Sequence, residues 1–284
     1  LPDYEAGKWW PQEEVPFSWQ MRGYDTNQYT NIRYPFPFDP PYVPQDNPCG
    51  AYLHHFEWHR DPAAPLSFLN FEGVDSCFYV WLNGNYVGSS QVSHYVSEFD
   101  VTDYLTEGEN HLAVLVLKWC DGSYLEDQDK FRMSGIIRDV YLLNRPKDRI
   151  ADYVITTDLS EDLHTADLSI KFAFSGESIP VTLKLLETPK DSSADFEASG
   201  NGSADSKSPE TGSEARTVLE ASLNGESEIQ LGVKDPLLWN AETPNLYTLI
   251  IETEHETITE RVGFRSICLE DGVVYLDRAP IKFR

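Results

Sequence analysis

The residues best suited to chemistry stand in one run, Cys120 to Asp139: Cys-Asp-Gly-Ser-Tyr-Leu-Glu-Asp-Gln-Asp-Lys-Phe-Arg-Met-Ser-Gly-Ile-Ile-Arg-Asp. Glu126, Asp127 and Asp129 offer hard oxygen ligands for a cation, or acceptors for hydroxyl groups. Tyr124, Leu125, Phe131, Met133, Ile136 and Ile137 are interleaved with them. A loop that served only solubility would not carry so many apolar groups, and these are expected to pin it while the acids face outward. A second reading stands beside this one: the run is a solvated acidic surface whose charges are met by Lys130 and Arg132.

Such a loop needs rigid neighbours. Leu112 to Trp119 before it and Val140 to Leu143 after it are apolar runs of strand length. The whole chain speaks the same language. Its 7 Trp, 15 Tyr and 14 Phe sit with Val and Thr in short runs broken by Gly, Pro, Asn and Asp. A length of 284 residues implies about two domains. The formal net charge is −25, which disfavours nucleic acid and anionic membranes because phosphate contacts need clustered Lys and Arg. It suits neutral ligands such as sugars, or serves solubility alone. Cys49, Cys77, Cys120 and Cys268 show no Cys-x-x-Cys spacing and read as free thiols in a reducing, cytoplasmic setting. No apolar run is long enough for a membrane helix, and no signal peptide is visible.

Residues 1–48 read as an extended wrapping segment. Pro35, Pro37, Pro40, Pro41, Pro44 and Pro48 exclude helix there, and Trp9, Trp10, Phe17, Trp19, Tyr24, Tyr29, Tyr34 and Phe36 can pack it down. Ala51 to Trp58 alternates as a strand, so His54 and His55 fall on opposite faces, which argues against a metal site built from His54, His55 and His59. Leu66 to Phe71 is a further strand, and Asn83-Gly84 closes a hairpin within Cys77 to Val87. Ser97 to Leu105 leads to an expected turn at Glu107 to Asn110, followed by a strand from His111 to Trp119.

A boundary falls at Pro146 to Asp148. Beyond it, strands are expected at 152–158, 166–174, 179–187, 226–233, 247–254 and 256–262, a count that fits an immunoglobulin-like sandwich. Residues 189–217 are too polar to offset their ordering entropy and read as a mobile insertion. Val273 to Lys282 reads as two strands about a turn at Asp277-Arg278, and the chain ends at Arg284 inside an apolar-basic run, as if interrupted.

Several of these stretches together resemble the N-terminal part of the bacterial lactose-cleaving β-galactosidases of glycoside hydrolase family 2. They are Ser18 to Asp25, Tyr29-Thr30-Asn31, Tyr34-Pro35, Val80 to Gly84 and above all Gly122 to Val140. Leu237 to Leu249 and Val262-Gly263-Phe264-Arg265 resemble the end of that family's second domain. The resemblance implies an all-β chain: a galactose-binding-like jelly roll over 1–147, an immunoglobulin-like sandwich over 148–265, and over 266–284 the start of a catalytic barrel. The two catalytic Glu residues, about 5–5.5 Å apart in a retaining enzyme, belong to that barrel, so none is expected here and the chain alone should be inactive. The jelly roll's opening strand is expected before Leu1. By position, Asp129 matches a residue that reaches the galactose 6-hydroxyl through sodium, and Asn31 one that hydrogen-bonds the sugar. Asp121 and Gln91 match oxygen ligands of a structural magnesium ion, whose other ligands lie outside this chain. Asp129 paired only with Arg132, or Asn31 acting as a turn residue, are the alternatives.

The partners so implied are a β-galactoside, the barrel domain and, for assembly, further copies of the chain. Na⁺ and Mg²⁺ belong to the complete enzyme, and the chain alone is expected to bind neither. Phe131 stands where Trp is commoner, and Cys120 replaces a polar residue. A free-standing carbohydrate-binding module, or a structural assembly pair, is the alternative function. A glucuronide or mannoside enzyme fits less well, because Glu126-Asp127-Gln128-Asp129 speaks for galactose.

Overall fold

The computed structural model describes residues 12–31, 33–126, 129–187 and 216–282. Trp9, Trp10, Asp127 and nearly all of the expected insertion lie outside them. The chain divides into two units, Leu1–Arg145 and Pro146–Arg284. Among the described residues both are built from strands, with only short 3₁₀ turns at Trp19–Arg22 and Asp121–Leu125.

The first unit contains β1 (Tyr29–Thr30), β2 (Cys49–Trp58), β3 (Leu66–Phe71), β4 (Val74–Asp75), β5 (Cys77–Leu82), β6 (Asn85–Ser90), β7 (Ser97–Asp100), β8 (Gly108–Leu117), β9 (Lys130–Phe131), β10 (Gly135–Ile136) and β11 (Val140–Arg145). One sheet runs β2-β8-β5-β6 and another β11-β3-β7, all antiparallel. Alternating residues Phe78, Val80 and Leu82 of β5, Val114 and Val116 of β8 and Leu69 and Phe71 of β3 share a core with Val101. Each such side chain stabilises the fold by about 1.5–3 kcal/mol on burial. The β5–β6 hairpin turns at Asn83 and Gly84, with φ of 51° and 80°. Both values suit the tight turn that the Asn-Gly pair predicts.

The turn expected at Glu107 to Asn110 lies earlier in the chain, because Gly108 to Asn110 already pair in β8. Asn110 is fully buried and acts as a hub rather than a turn residue. Its Oδ1 accepts from Thr106 N (2.9 Å) and Asn83 Nδ2 (2.8 Å), and its Nδ2 donates to the Thr106 and Gly108 carbonyls (2.8 Å each).

The second unit contains β12 (Arg149–Leu159), β13 (Thr165–Ser175), β14 (Pro180–Glu187), β15 (Arg216–Asn224), β16 (Glu228–Lys234), β17 (Tyr247–Glu252) and β18 (Thr257–Val262). The sheets β12-β13-β16 and β15-β14-β17-β18 make the immunoglobulin-like sandwich. Leu168, Ile170, Leu183, Leu185, Leu249, Ile251 and Phe264 fill its core. β15 is absent from the sequence reading, and its first two residues, Arg216 and Thr217, lie in the range read as insertion. They pair with Glu187 and Leu186, so the ladder overrides their polar neighbourhood. Beyond the sandwich, β19 (Ile267–Glu270), β20 (Val273–Leu276) and β21 (Ala279–Pro280) form a small sheet, turning at Asp277 and Arg278, both with positive φ.

Candidate functional site

The run from Cys120 to Asp139 is held by the N-terminal segment lying beside it. Phe17 N donates to Ile136 O and Trp19 N to Ser134 O, each at 2.9 Å. Arg132 N donates to Gln28 O at 2.7 Å. Trp19 is the anchor: it is buried in the core and donates Nε1–H to the Tyr52 hydroxyl at 2.6 Å. Its indole lies so close to Gly50 that a Cβ there would meet the ring at 2.5 Å. Only glycine admits the ring at that distance. Gln20, also buried, accepts from Ser134 N (3.0 Å) and donates to Ser134 Oγ (3.3 Å). Asp25 pairs with the buried Lys118. Burial pushes the Asp25 carboxyl up, but Lys118, the Thr26 amide and Gln20 outweigh it and hold the group below its ordinary value.

At the tip, β1 and β9 form a ladder of two pairs, Tyr29↔Phe131 and Thr30↔Lys130. Continuing that register sets Asn31 opposite Asp129. Strand alternation then sorts the side chains. Lys130 and Arg132 turn inward: Lys130 Nζ meets His94 Nε2 at 2.7 Å and Asp75 at 3.6 Å. Arg132 is buried and donates to Thr30 Oγ1 (2.8 Å) and the Glu126 carbonyl (2.6 Å). A small polar pocket lined by Asp75, Glu126, Lys130 and Arg132 lies on this inner side. Burial raises the Asp75 carboxyl to about 6, against the opposing pull of Lys130. Burial also lowers His94, helped by Lys130, so its ring is a neutral acceptor for that ammonium.

Tyr29, Asn31, Asp129 and Phe131 are exposed on the other side. The Tyr29 hydroxyl donates to Asp129 and also meets the Asn31 side chain. The Asp129 bond pushes that hydroxyl above its ordinary value, and Asn31 pulls the other way. Tyr29 and Phe131 pack edge to face, with centroids 5.8 Å apart. The structure thus brings Asn31 and Asp129 together over one phenol, and the Arg132 guanidinium makes its bonds elsewhere. Tyr29 went unnoticed in the sequence as a site residue, although its place two positions before Asn31 puts it on the same strand face.

The pinning is narrower than the sequence reading had it. Tyr124 and Ile136 are buried and Met133 is half-buried, but Leu125 is 88% and Phe131 55% exposed. Buried polar groups, Gln20, Ser134 and Arg132, do the work expected of those two. Tyr124 sits among Phe36, Trp119, Tyr34 and Phe38, and its hydroxyl donates to the Tyr42 carbonyl at 2.6 Å. Cys77 and Cys120 are free, buried and hydrogen-bonded to each other.

The exposed face has a definite chemistry. An amide that donates and accepts stands beside a carboxylate that accepts from hydroxyls or ligates a hard cation. One carboxylate supplies one corner of a cation's shell, and the remaining oxygens must come from elsewhere. Asp121 is exposed at the start of the 3₁₀ turn, its Oδ1 accepting the Gly122 N–H at 3.0 Å. Gln91 lies alongside: its main-chain and side-chain oxygens are 3.3 and 3.7 Å from where a Gly122 Cβ would sit. These are oxygen donors of the type a hard divalent ion takes.

Fold and surface define an all-β class in which a jelly roll with outward polar loops precedes an immunoglobulin-like sandwich. Residues 12–146 match the family model described as "Glycosyl hydrolases family 2, sugar binding domain", and residues 149–265 match the one described as "Glycosyl hydrolases family 2". The chain belongs to glycosyl hydrolase family 2. A "Beta-galactosidase" of Actinobacillus pleuropneumoniae is 46% identical over 95% of the chain and 24% of that protein. One of Staphylococcus xylosus is 43% identical over the same shares, 95% and 24%. The chain therefore spans about a quarter of the length of the curated relatives it matches. Among solved structures, a β-glucuronidase from an uncultured Clostridium sp. superposes with a TM-score of 0.65 at 23% identity, over 82% of this chain and 38% of that one. One from Bifidobacterium dentium gives 0.63 at 19%, over 81% and 42%. These structures share the fold. No helix among the described residues is long and apolar enough to cross a membrane.

Proposed function

We propose that this chain is the non-catalytic arm of a retaining β-galactosidase, and that it completes a galactose site whose acid/base and nucleophile stand in a separate barrel domain. The observation that carries the reading is the β1–β9 tip, where Asn31 and Asp129 share the Tyr29 hydroxyl on an exposed face. The relatives named β-galactosidase support the substrate. In this reading Asn31 hydrogen-bonds the sugar, and Asp129 is the residue that would hold a sodium ion. The ion would supply there a positive charge that attracts the galactose 6-hydroxyl. The chain's own part is to hold the carboxylate rigid, with Tyr29 restraining its rotation. Asp121 and Gln91 would offer oxygens to a magnesium ion, whose remaining ligands would come from other residues.

The test is a steady-state assay of the longer enzyme with a chromogenic β-galactoside. Asp129→Asn removes a charge-assisted contact worth about 1.5–3 kcal/mol, so kcat/KM falls about 10- to 150-fold. The sodium dependence of KM disappears with it. Unchanged kinetics in Asp129→Asn refute the reading, as does turnover by the purified chain alone.

A further inference from the structure

The outward face of the β2–β8 pair carries a second constellation of ligating groups. The register sets His55 opposite His111 and Glu57 opposite Glu109. One step further, His59 Nδ1 meets Glu107 at 2.7 Å. His54, His55 and His59 make no site by themselves, because strand alternation separates 54 from 55 and His59 is engaged by Glu107. The second imidazole comes from a strand more than fifty residues away in sequence. The rings of His55 and His111 lie 4.1 Å apart between centroids. Glu109 Oε1 stands 3.4 Å from His55 Nδ1 and 4.0 Å from His111 Nε2, and the three groups' ligand atoms all fall within 4.8 Å of one another.

We propose that His55, Glu109 and His111 bind a divalent transition metal of the zinc type. Bonds of about 2.0–2.2 Å in a tetrahedral shell set ligand atoms about 3.3 Å apart. The Glu109–His55 separation already has that value. Glu109 and His111 need to close by about 0.7 Å and the two imidazoles by up to about 1.5 Å, which side-chain rotation supplies, since all three groups are exposed. The backbone needs no movement, because the ligands stand on two long paired strands. Two imidazoles and one carboxylate select zinc, nickel or copper over magnesium and calcium, and leave a corner for water. Ligands drawn from both strands make the ion a clamp across the pairing. An ion that binds only the folded chain raises its stability by mass action.

The test is titration of the whole chain with ZnCl₂, by calorimetry and thermal melting. A Cys49→Ser, Cys268→Ser background keeps the two accessible thiols out of the measurement. The expected result is one saturable equivalent of Zn²⁺ and a rise in Tm reversed by a chelator, with no heat from Mg²⁺ at the same concentration. His55→Ala and His111→Ala each weaken binding at least tenfold. Glu109→Gln, which keeps the side chain's size, weakens it as well. His59→Ala leaves it unchanged. Absent or non-saturable Zn²⁺ binding overturns the proposal. So does binding that survives His55→Ala and His111→Ala, or a loss in His59→Ala as large as theirs.

Discussion

Two motif-rich regions of this chain are built on opposite plans. In the second unit, the stretch from Leu237 to Tyr247 closes on itself. Asn240 Oδ1 accepts from Glu242 N (3.0 Å), Thr243 N (2.7 Å) and Thr243 Oγ1 (2.9 Å). Asn245 Nδ2 donates to the Leu238 carbonyl at 2.9 Å, and Leu237 N to the Tyr247 hydroxyl at 2.8 Å. The Arg265 guanidinium lies 4.7 Å from the centre of the Trp239 ring. The tip of the first unit divides its polar groups instead. Lys130 and Arg132 are spent inward, while Asn31 and Asp129 stay in solvent with only a phenol between them. Both regions carry residues at fixed spacing. A motif whose polar atoms all find partners nearby explains a fold. One that leaves a carboxylate and an amide outward, on a backbone held from below, is not explained by the fold alone.

Substitutions can break or sharpen this contrast, and the largest effect belongs to the support under the tip. Trp19→Ala removes a buried indole and should cost about 3–5 kcal/mol of stability, read as a lowered denaturation midpoint. The loss should be accompanied by exposure of the 129–136 backbone to hydrogen exchange, whereas the second unit's protection persists.

Asp75→Asn comes next and carries a pH signature. Its carboxyl sits at about 6 in the fold, against an ordinary value of 3.8. A raised carboxyl contributes stability below the lower value and loses it as pH rises through the higher one. At pH 7 the buried charge therefore costs stability, on the order of 1–3 kcal/mol for a shift of this size. The Asn variant should melt higher than the parent at pH 7, and the gap should close as pH falls from 6 towards 4. A gap that widens on acidification contradicts this account of Asp75.

Asn240→Ala should cost about 0.5–1.5 kcal/mol by removing the acceptor that closes the turn, since the exposed Glu242 and Thr243 groups it frees turn to water. In the longer enzyme it should leave galactoside kinetics unchanged at temperatures where the protein is folded. Kinetic loss there without loss of stability would erase the distinction between the two regions. Tyr29→Phe is the smallest change. The ring contact with Phe131 remains and only an exposed hydroxyl is lost, so stability should move by less than about 0.5 kcal/mol. In the longer enzyme its effect on KM should be smaller than that of Asp129→Asn.

Much of the architecture was legible because strands follow short-range rules. β3 runs from Leu66 to Phe71 as its apolar run implies, and Asn83-Gly84 turns where its backbone preference demands. β15 was not legible. It follows a low-complexity stretch, and Arg216 and Thr217 become strand only because β14 offers them a ladder. Gly108 to Asn110 looked like a turn because Gly and Asn favour turns, yet Asn110 spends its amide inside the fold. The tip shows the same limit. Sequence position singled out Asn31 and Asp129, but that one tyrosine hydroxyl meets both follows from the β1–β9 register, which joins residues a hundred positions apart. Hydrophobicity alone points to Leu125 and Phe131 as anchors. Alternation about Lys130 and Arg132 leaves Phe131 outside, and Leu125 sits on the outer side of a 3₁₀ turn.

The shortness of that two-rung ladder makes chain length itself a constraint. Between Asp25, tied to Lys118, and Gln28, whose carbonyl takes the Arg132 amide, only Thr26 and Asn27 intervene. Surface connections usually absorb an added residue at little cost. Here a single insertion must either unseat the ion pair or slip the rungs by one, and a slip sends every side chain to the reverse face. Asn31 would then turn inward and Thr30 outward. Thr26 and Asn27 can thus vary in composition far more freely than in number.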